Sequence, residues 1–97
     1  GEPDIKIVKS KTSLETVRSY ALASDRLFMA YLVNGNPEDK IVSTTVLINS
    51  TVAGRAYWID PKTGNVVSSR VVPKGDQVLE VPKFSEDIGL IIKEEKG

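Results

Sequence analysis

The 97-residue chain has no cysteine, no histidine, one methionine and one tryptophan. Without thiols or imidazoles it forms no disulfide, runs no Ser-His or Cys-His catalysis, and lacks the usual ligands of zinc, copper and haem. No charge of either sign is in excess, because 13 Lys and Arg stand against 13 Asp and Glu. There is thus no overall field to hold a phosphate backbone or an anionic bilayer, and neither nucleic acid nor membrane is an expected partner. No apolar run approaches the roughly 18 residues of a membrane-spanning helix. The longest, Leu27 to Val33, has the length of a strand. The chain opens on Gly1 without a charged-then-apolar leader, which reads as a mature segment or a piece of something longer.

What is present suits one folded domain. Hydrophobic residues make up 40% and charged residues 27%, an ordinary globular balance. At this length two domains would each lack a core. The pattern divides the chain into an N-terminal strand or linker over 1–13, a domain over 14–93 and a charged tail over 94–97.

The periodicity is β almost throughout. Short runs of Val, Ile, Leu, Tyr and Thr are broken at intervals by Gly, Pro, Asn and Asp. Eight strands are expected, over 5–9, 15–23, 26–34, 42–49, 55–60, 66–72, 77–81 and 88–93. Ser13 to Leu22 also carries a helix start signal, but its spacing is equally that of a strand, and the strand is preferred. Ser24-Asp25-Arg26 is short enough for a tight hairpin. Asn34 to Asp39 reads as a longer loop. In Asp60-Pro61-Lys62-Thr63-Gly64-Asn65 the aspartate caps, the proline presets φ and Gly64 supplies a left-handed position. Pro73-Lys74-Gly75-Asp76 is a turn of the same kind, and residues 82–87 read as a crossing segment. These features predict an all-β fold, a two-sheet antiparallel sandwich of about eight strands with Greek-key connections. The expected core is Val17, Leu27, Met29, Tyr31, Val46, Ile48, one of Tyr57 and Trp58, Ile59, Leu79, Leu90 and Ile92.

Leu27 to Val33 is apolar on both parities, so one of its faces is expected to pack against something outside the sandwich. Phe28, Ala30 and Leu32 are the residues assigned to that interface. Tyr57 and Trp58 point to opposite faces of a strand, so at most one can stack on a sugar ring while the other packs. Tyr20 and Tyr31 are further candidates for ligand contact. Asp60 with Asn65, or Glu86 with Asp87 and Asp39, supply hard oxygen ligands for calcium, but no loop has the dense acidic spacing of a dedicated site, and turn capping is the preferred reading. Asp60 and Glu86 as a glycosidase acid and base would need a cleft that a sandwich of this size rarely provides. No catalytic residue, metal or cofactor is expected. Asn49-Ser50-Thr51 matches a glycosylation acceptor by chance spacing.

The segment Ala53-Gly54-Arg55-Ala56-Tyr57-Trp58-Ile59-Asp60-Pro61-Lys62-Thr63-Gly64 resembles the small β-sandwich domain at the C-terminus of many glycoside hydrolases, including the type labelled as the collagen-binding domain of a collagenase. The family's strand ends in an aromatic residue, one further residue and Asp-Pro-Arg-Thr-Gly, which Trp58 to Gly64 follow closely. The resemblance extends upstream to Arg26 to Leu32 and downstream to Asp87 to Ile92, about residues 14 to 93 in all. Where the family often has Asp-Trp before the last strand, this chain has Asp87-Ile88. The resemblance implies a non-catalytic accessory domain that packs against and stabilises a catalytic domain of a longer chain. Extracellular location would follow if that enzyme is secreted. The alternatives are a module binding carbohydrate or collagen, and a free-standing immunoglobulin-like interaction domain.

Overall fold

The structure, a computed structural model, describes residues 4–36, 38 and 40–95. Gly1, Pro37, Asp39 and the final Lys96-Gly97, which figured in the expectations above, lie outside the described residues.

Nine strands form two antiparallel sheets. They are β1 (Lys6–Val8), β2 (Ser10–Thr12), β3 (Val17–Ala23), β4 (Leu27–Asn34), β5 (Thr45–Ser50), β6 (Gly54–Ile59), β7 (Val66–Val72), β8 (Gly75–Glu80) and β9 (Asp87–Glu94). The large sheet has the order β1-β3-β4-β9-β6-β7 and the small one the order β2-β5-β8. The expected sandwich is present. The chain changes sheet at every connection except the hairpins β3–β4 and β6–β7, and β9 fills the place between those hairpins.

The turns form for the reasons their residues suggest. The Ser24 N–H donates to the Leu27 carbonyl at 2.8 Å, closing the first hairpin. In the second, an Asp60 carboxylate oxygen accepts the Lys62 N–H at 2.9 Å and Gly64 takes φ of 75°. A side chain at that φ would crowd its own carbonyl, hence glycine. Ser13 to Leu22 contains no helix; Val17 to Ala23 is strand.

One strand is additional to those expected. The strand expected over 5–9 is β1, which joins β3 in the large sheet; the chain then steps across at Lys9, and β2, over residues expected to be unpaired, joins β5 in the small one. Residues 6–8 and 10–12 thus supply one strand to each layer. Ser10 Oγ donates to Ser19 Oγ at 2.7 Å, and Thr12 Oγ1 donates to the Val17 carbonyl at 2.7 Å. These bonds tie the two layers along this edge.

The core lies between the sheets. Phe28, Leu32, Ile88, Leu90, Ile92, Ala56 and Trp58 from the large sheet face Val46, Ile48 and Leu79 from the small one, and all are essentially sealed from solvent. Val42, Val52, Val81 and Phe84 close the ends. No buried side-chain nitrogen or oxygen among the described residues lacks a hydrogen-bond partner.

Two expectations about β4 are reversed. Phe28 and Leu32 are fully buried and Ala30 nearly so, so they form the core and cannot be an interface. Leu27, Met29 and Tyr31, expected in the core, lie on the outer face together with Ile59 of β6. Both parities of β4 are apolar, so alternation alone could not choose between them; the volume of Phe28 and Leu32 against β9 and the small sheet decides.

Candidate functional site

Apolar and aromatic side chains remain uncovered across the outer face of the large sheet, and a smaller number, such as Leu47 and Val78 of the small sheet, elsewhere. Residues paired across antiparallel strands share a face, so the register assembles this surface row by row. One row runs Ile7–Leu22–Met29–Ile91–Tyr57 across β1, β3, β4, β9 and β6. The next runs Tyr20–Tyr31–Gly89–Ile59–Val66 across β3, β4, β9, β6 and β7. Ile7 is 87% exposed and Tyr20 57%, while Met29, Tyr57, Ile59 and Ile91 are half-buried. Charges frame the rows, with Arg18, Val33 and Asp87 aligned on one side and Leu27, Lys93 and Arg55 on the other. An open groove of about 1210 Å³ is lined by Ile7, Tyr20, Leu22, Met29, Tyr31 and Ile91 and extends round β1 to Lys11 and Leu47.

Gly89 gives the surface its relief. It sits between Tyr31 and Ile59, and a Cβ placed there would meet only the Ile59 carbonyl oxygen at 3.7 Å, an ordinary contact. Packing therefore does not require glycine here. Its missing side chain leaves a notch beside Tyr20 and Tyr31, which are partners across β3 and β4. The Tyr31 hydroxyl donates to Asp87 Oδ2 at 2.5 Å. That hydrogen bond, with some desolvation and the negative charges of Asp87 and Glu86, raises the Tyr31 pKa above its ordinary value.

Of the four aromatic ligand candidates, the structure brings Tyr20, Tyr31 and Tyr57 onto this one face. Trp58 is 1% exposed in the core, so it is excluded as a stacking platform. The pairing of Tyr57↔Ile91 and Trp58↔Leu90 turns the larger ring inward, where its area is worth most. Sequence reasoning missed Ile7, Leu22, Ile91 and Gly89. The alternation in Asp87 to Lys93 could have shown Ile91 as outward, but Ile7 and Leu22 become neighbours only through the sheet register.

A smaller polar hollow of about 270 Å³ lies by the β6–β7 turn, lined by Asp60, Lys62, Lys83, Phe84, Glu86 and Asp87. Lys62 Nζ and Glu86 Oε1 pair at 3.0 Å on its exposed rim, and Glu86 raises the pKa of Lys62 first through that hydrogen bond and then through its charge. Of the carboxylates expected to be able to hold calcium or act as an acid and base, Asp60 caps the turn, Glu86 pairs with Lys62 and Asp87 accepts the tyrosine hydrogen bond. Among the described residues no group of three or more carboxylates is placed to hold a metal ion. The outer face presents apolar and aromatic side chains on which flat or apolar surfaces can pack.

No family model matches the chain, and no curated protein matches it in sequence. Among solved structures it is similar to part of α-L-fucosidase isoenzyme 2 from Paenibacillus thiaminolyticus, with a TM-score of 0.60 at 13% sequence identity. The likeness covers 90% of this chain and 15% of that one, so the shared feature is the fold of a small domain.

Proposed function

We propose that this chain is a non-catalytic accessory domain, and that it packs the outer face of its large sheet against a catalytic domain of the same polypeptide. The observation that carries this reading is the pair of apolar rows on a sandwich whose own core is already closed. Monomeric proteins rarely leave contiguous apolar surface of this kind without a partner. The fold likeness supports it, since an α-L-fucosidase is a glycoside hydrolase and only a small part of that chain is matched. The collagenase type named by the sequence resemblance gains nothing from the comparisons.

The intact mass of the native polypeptide, detected with an antibody to this domain, tests the reading. A mass several times 10.6 kDa, in a chain that hydrolyses glycosides, is the expected result; a mass equal to this chain overturns it. The three tyrosines on one face favour a second reading, a module for polysaccharide or collagen. It predicts retention on a polysaccharide or collagen matrix that Tyr20→Ala with Tyr31→Ala abolishes. Trp58 fluorescence would stay unchanged, because its ring is sealed in the core.

A further inference from the structure

Among the described residues, strand β7 is the longest of the four strands that lie at a sheet edge. Among the described residues it pairs only with β6, so the backbone groups along its other side face solvent. All of it except Val72 is exposed, because a three-stranded layer is too narrow to cover a six-stranded one. Val66, Val67 and Val71 are each more than half exposed. The devices that usually blunt an edge are sparse: Arg70 is the only charge, there is no proline, and a bulge displaces only Val67. The other edges differ. β1 and β2 have three residues each, and β8 carries Asp76 and Glu80.

We propose that β7 is a self-association edge, where a second copy of the chain adds its own β7 antiparallel and joins two six-stranded sheets into one of twelve. The run Val67-Ser68-Ser69-Arg70-Val71, on the Val72 side of the step in register at Val66, reads almost the same in both directions about Ser69. A two-fold axis perpendicular to the sheet at Ser69 places Ser68 opposite Arg70 of the second copy and Val67 opposite its Val71. Centring the axis on Arg70 would oppose two guanidinium groups, and centring it on Ser68 would set valine against serine and arginine; both lose cross-strand energy. The register at Ser69 is therefore the self-complementary one that an isologous contact requires. Equal numbers of acidic and basic residues also leave no net repulsion between copies. The proposal rests on this edge and not on the function proposed above.

Sedimentation equilibrium of the chain up to about 1 mM tests it, that being the weak limit of useful affinity. A reversible dimer is expected. Val67→Lys with Val71→Lys sets lysine against lysine at both ends and weakens the dimer roughly tenfold or more. Val67→Lys with Val71→Glu sets opposite charges face to face and restores it. Both positions are exposed, and unchanged thermal melting confirms that the variants fold. The absence of cysteine adds an independent readout: Ser69→Cys should oxidise to a linked dimer far faster than Leu47→Cys on the small sheet. A chain that stays monomeric leaves the edge to an extended segment of another polypeptide and overturns the proposal. So does a dimer indifferent to the double lysine, or one broken by Leu22→Lys on the opposite half of the outer face.

Discussion

Tyr31 joins the exposed face to the loop end of the sandwich through its hydrogen bond to Asp87. Because the folded pKa is raised, the neutral phenol is favoured in the fold. The stabilisation is therefore complete below the unfolded value near 10 and is lost as pH climbs through the higher folded value. Absorbance titration of the chain should show one phenol ionising above its ordinary value of 10.0, and Asp87→Asn should bring that midpoint down. Two glycines give an opposite pair of predictions. A Cβ on Gly54 would lie 1.8 Å from the Lys93 carbonyl oxygen, and neither backbone can yield without opening the β6–β9 pairing. Gly54→Ala should cost about 3 kcal/mol or more in denaturant unfolding. Gly89→Ala should change stability by no more than about 1 kcal/mol, in the stabilising direction, while filling the notch. At this scale the sequence was informative wherever alternation forced a choice, as with Tyr57 and Trp58, though it did not say which ring goes inward. Trp58→Ala should cost roughly 3–5 kcal/mol, as a large aromatic removed from a sealed core does.

The strands themselves were mostly legible, since Val, Ile and Tyr runs between turn residues mark them without knowledge of their partners. The turn from Asp60 to Asn65 formed as its residues suggest. Three features were hidden, each because its cause is not local. The step from β1 to β2 at Lys9 has no glycine or proline to announce it. The inward parity of β4 depends on its register with β3 and β9. The double exposure of β7 follows from the narrowness of the opposite sheet, which no feature of its own seven residues reveals. These positions also rank the strands by local stability. β4 and β9 are central and covered on the core side by the small sheet, whereas β7 has one neighbour and little cover. Amide hydrogen exchange should therefore give global protection in β4 and β9 and much weaker protection in β7. Equal protection in all three would contradict this packing.

As a whole, the molecule has an asymmetric design: one narrow layer seals the inside of a broad one, and the broad layer's reverse side stays apolar. That surface was foreseen from the two-sided character of Leu27 to Val33, though its members were assigned to the wrong parity. It should bind an apolar fluorescent dye in the native state, and Leu22→Lys with Met29→Lys should reduce that binding while leaving the melting temperature within a few degrees. The place of β9 has another outcome, in time rather than in space. It is the last of the nine strands in chain order, yet it pairs with both β4 and β6 at the middle of the large sheet. A ribosome making these residues releases both hairpins before the strand that joins them exists. Until residues 87–94 emerge, the strand that stands between Phe28 of β4 and Trp58 of β6 is missing from the large sheet. Folding must await that strand and close loops of about thirty to sixty residues at once, so a chain interrupted just before Asp87 would be left to chaperones and proteases rather than reach a smaller stable form.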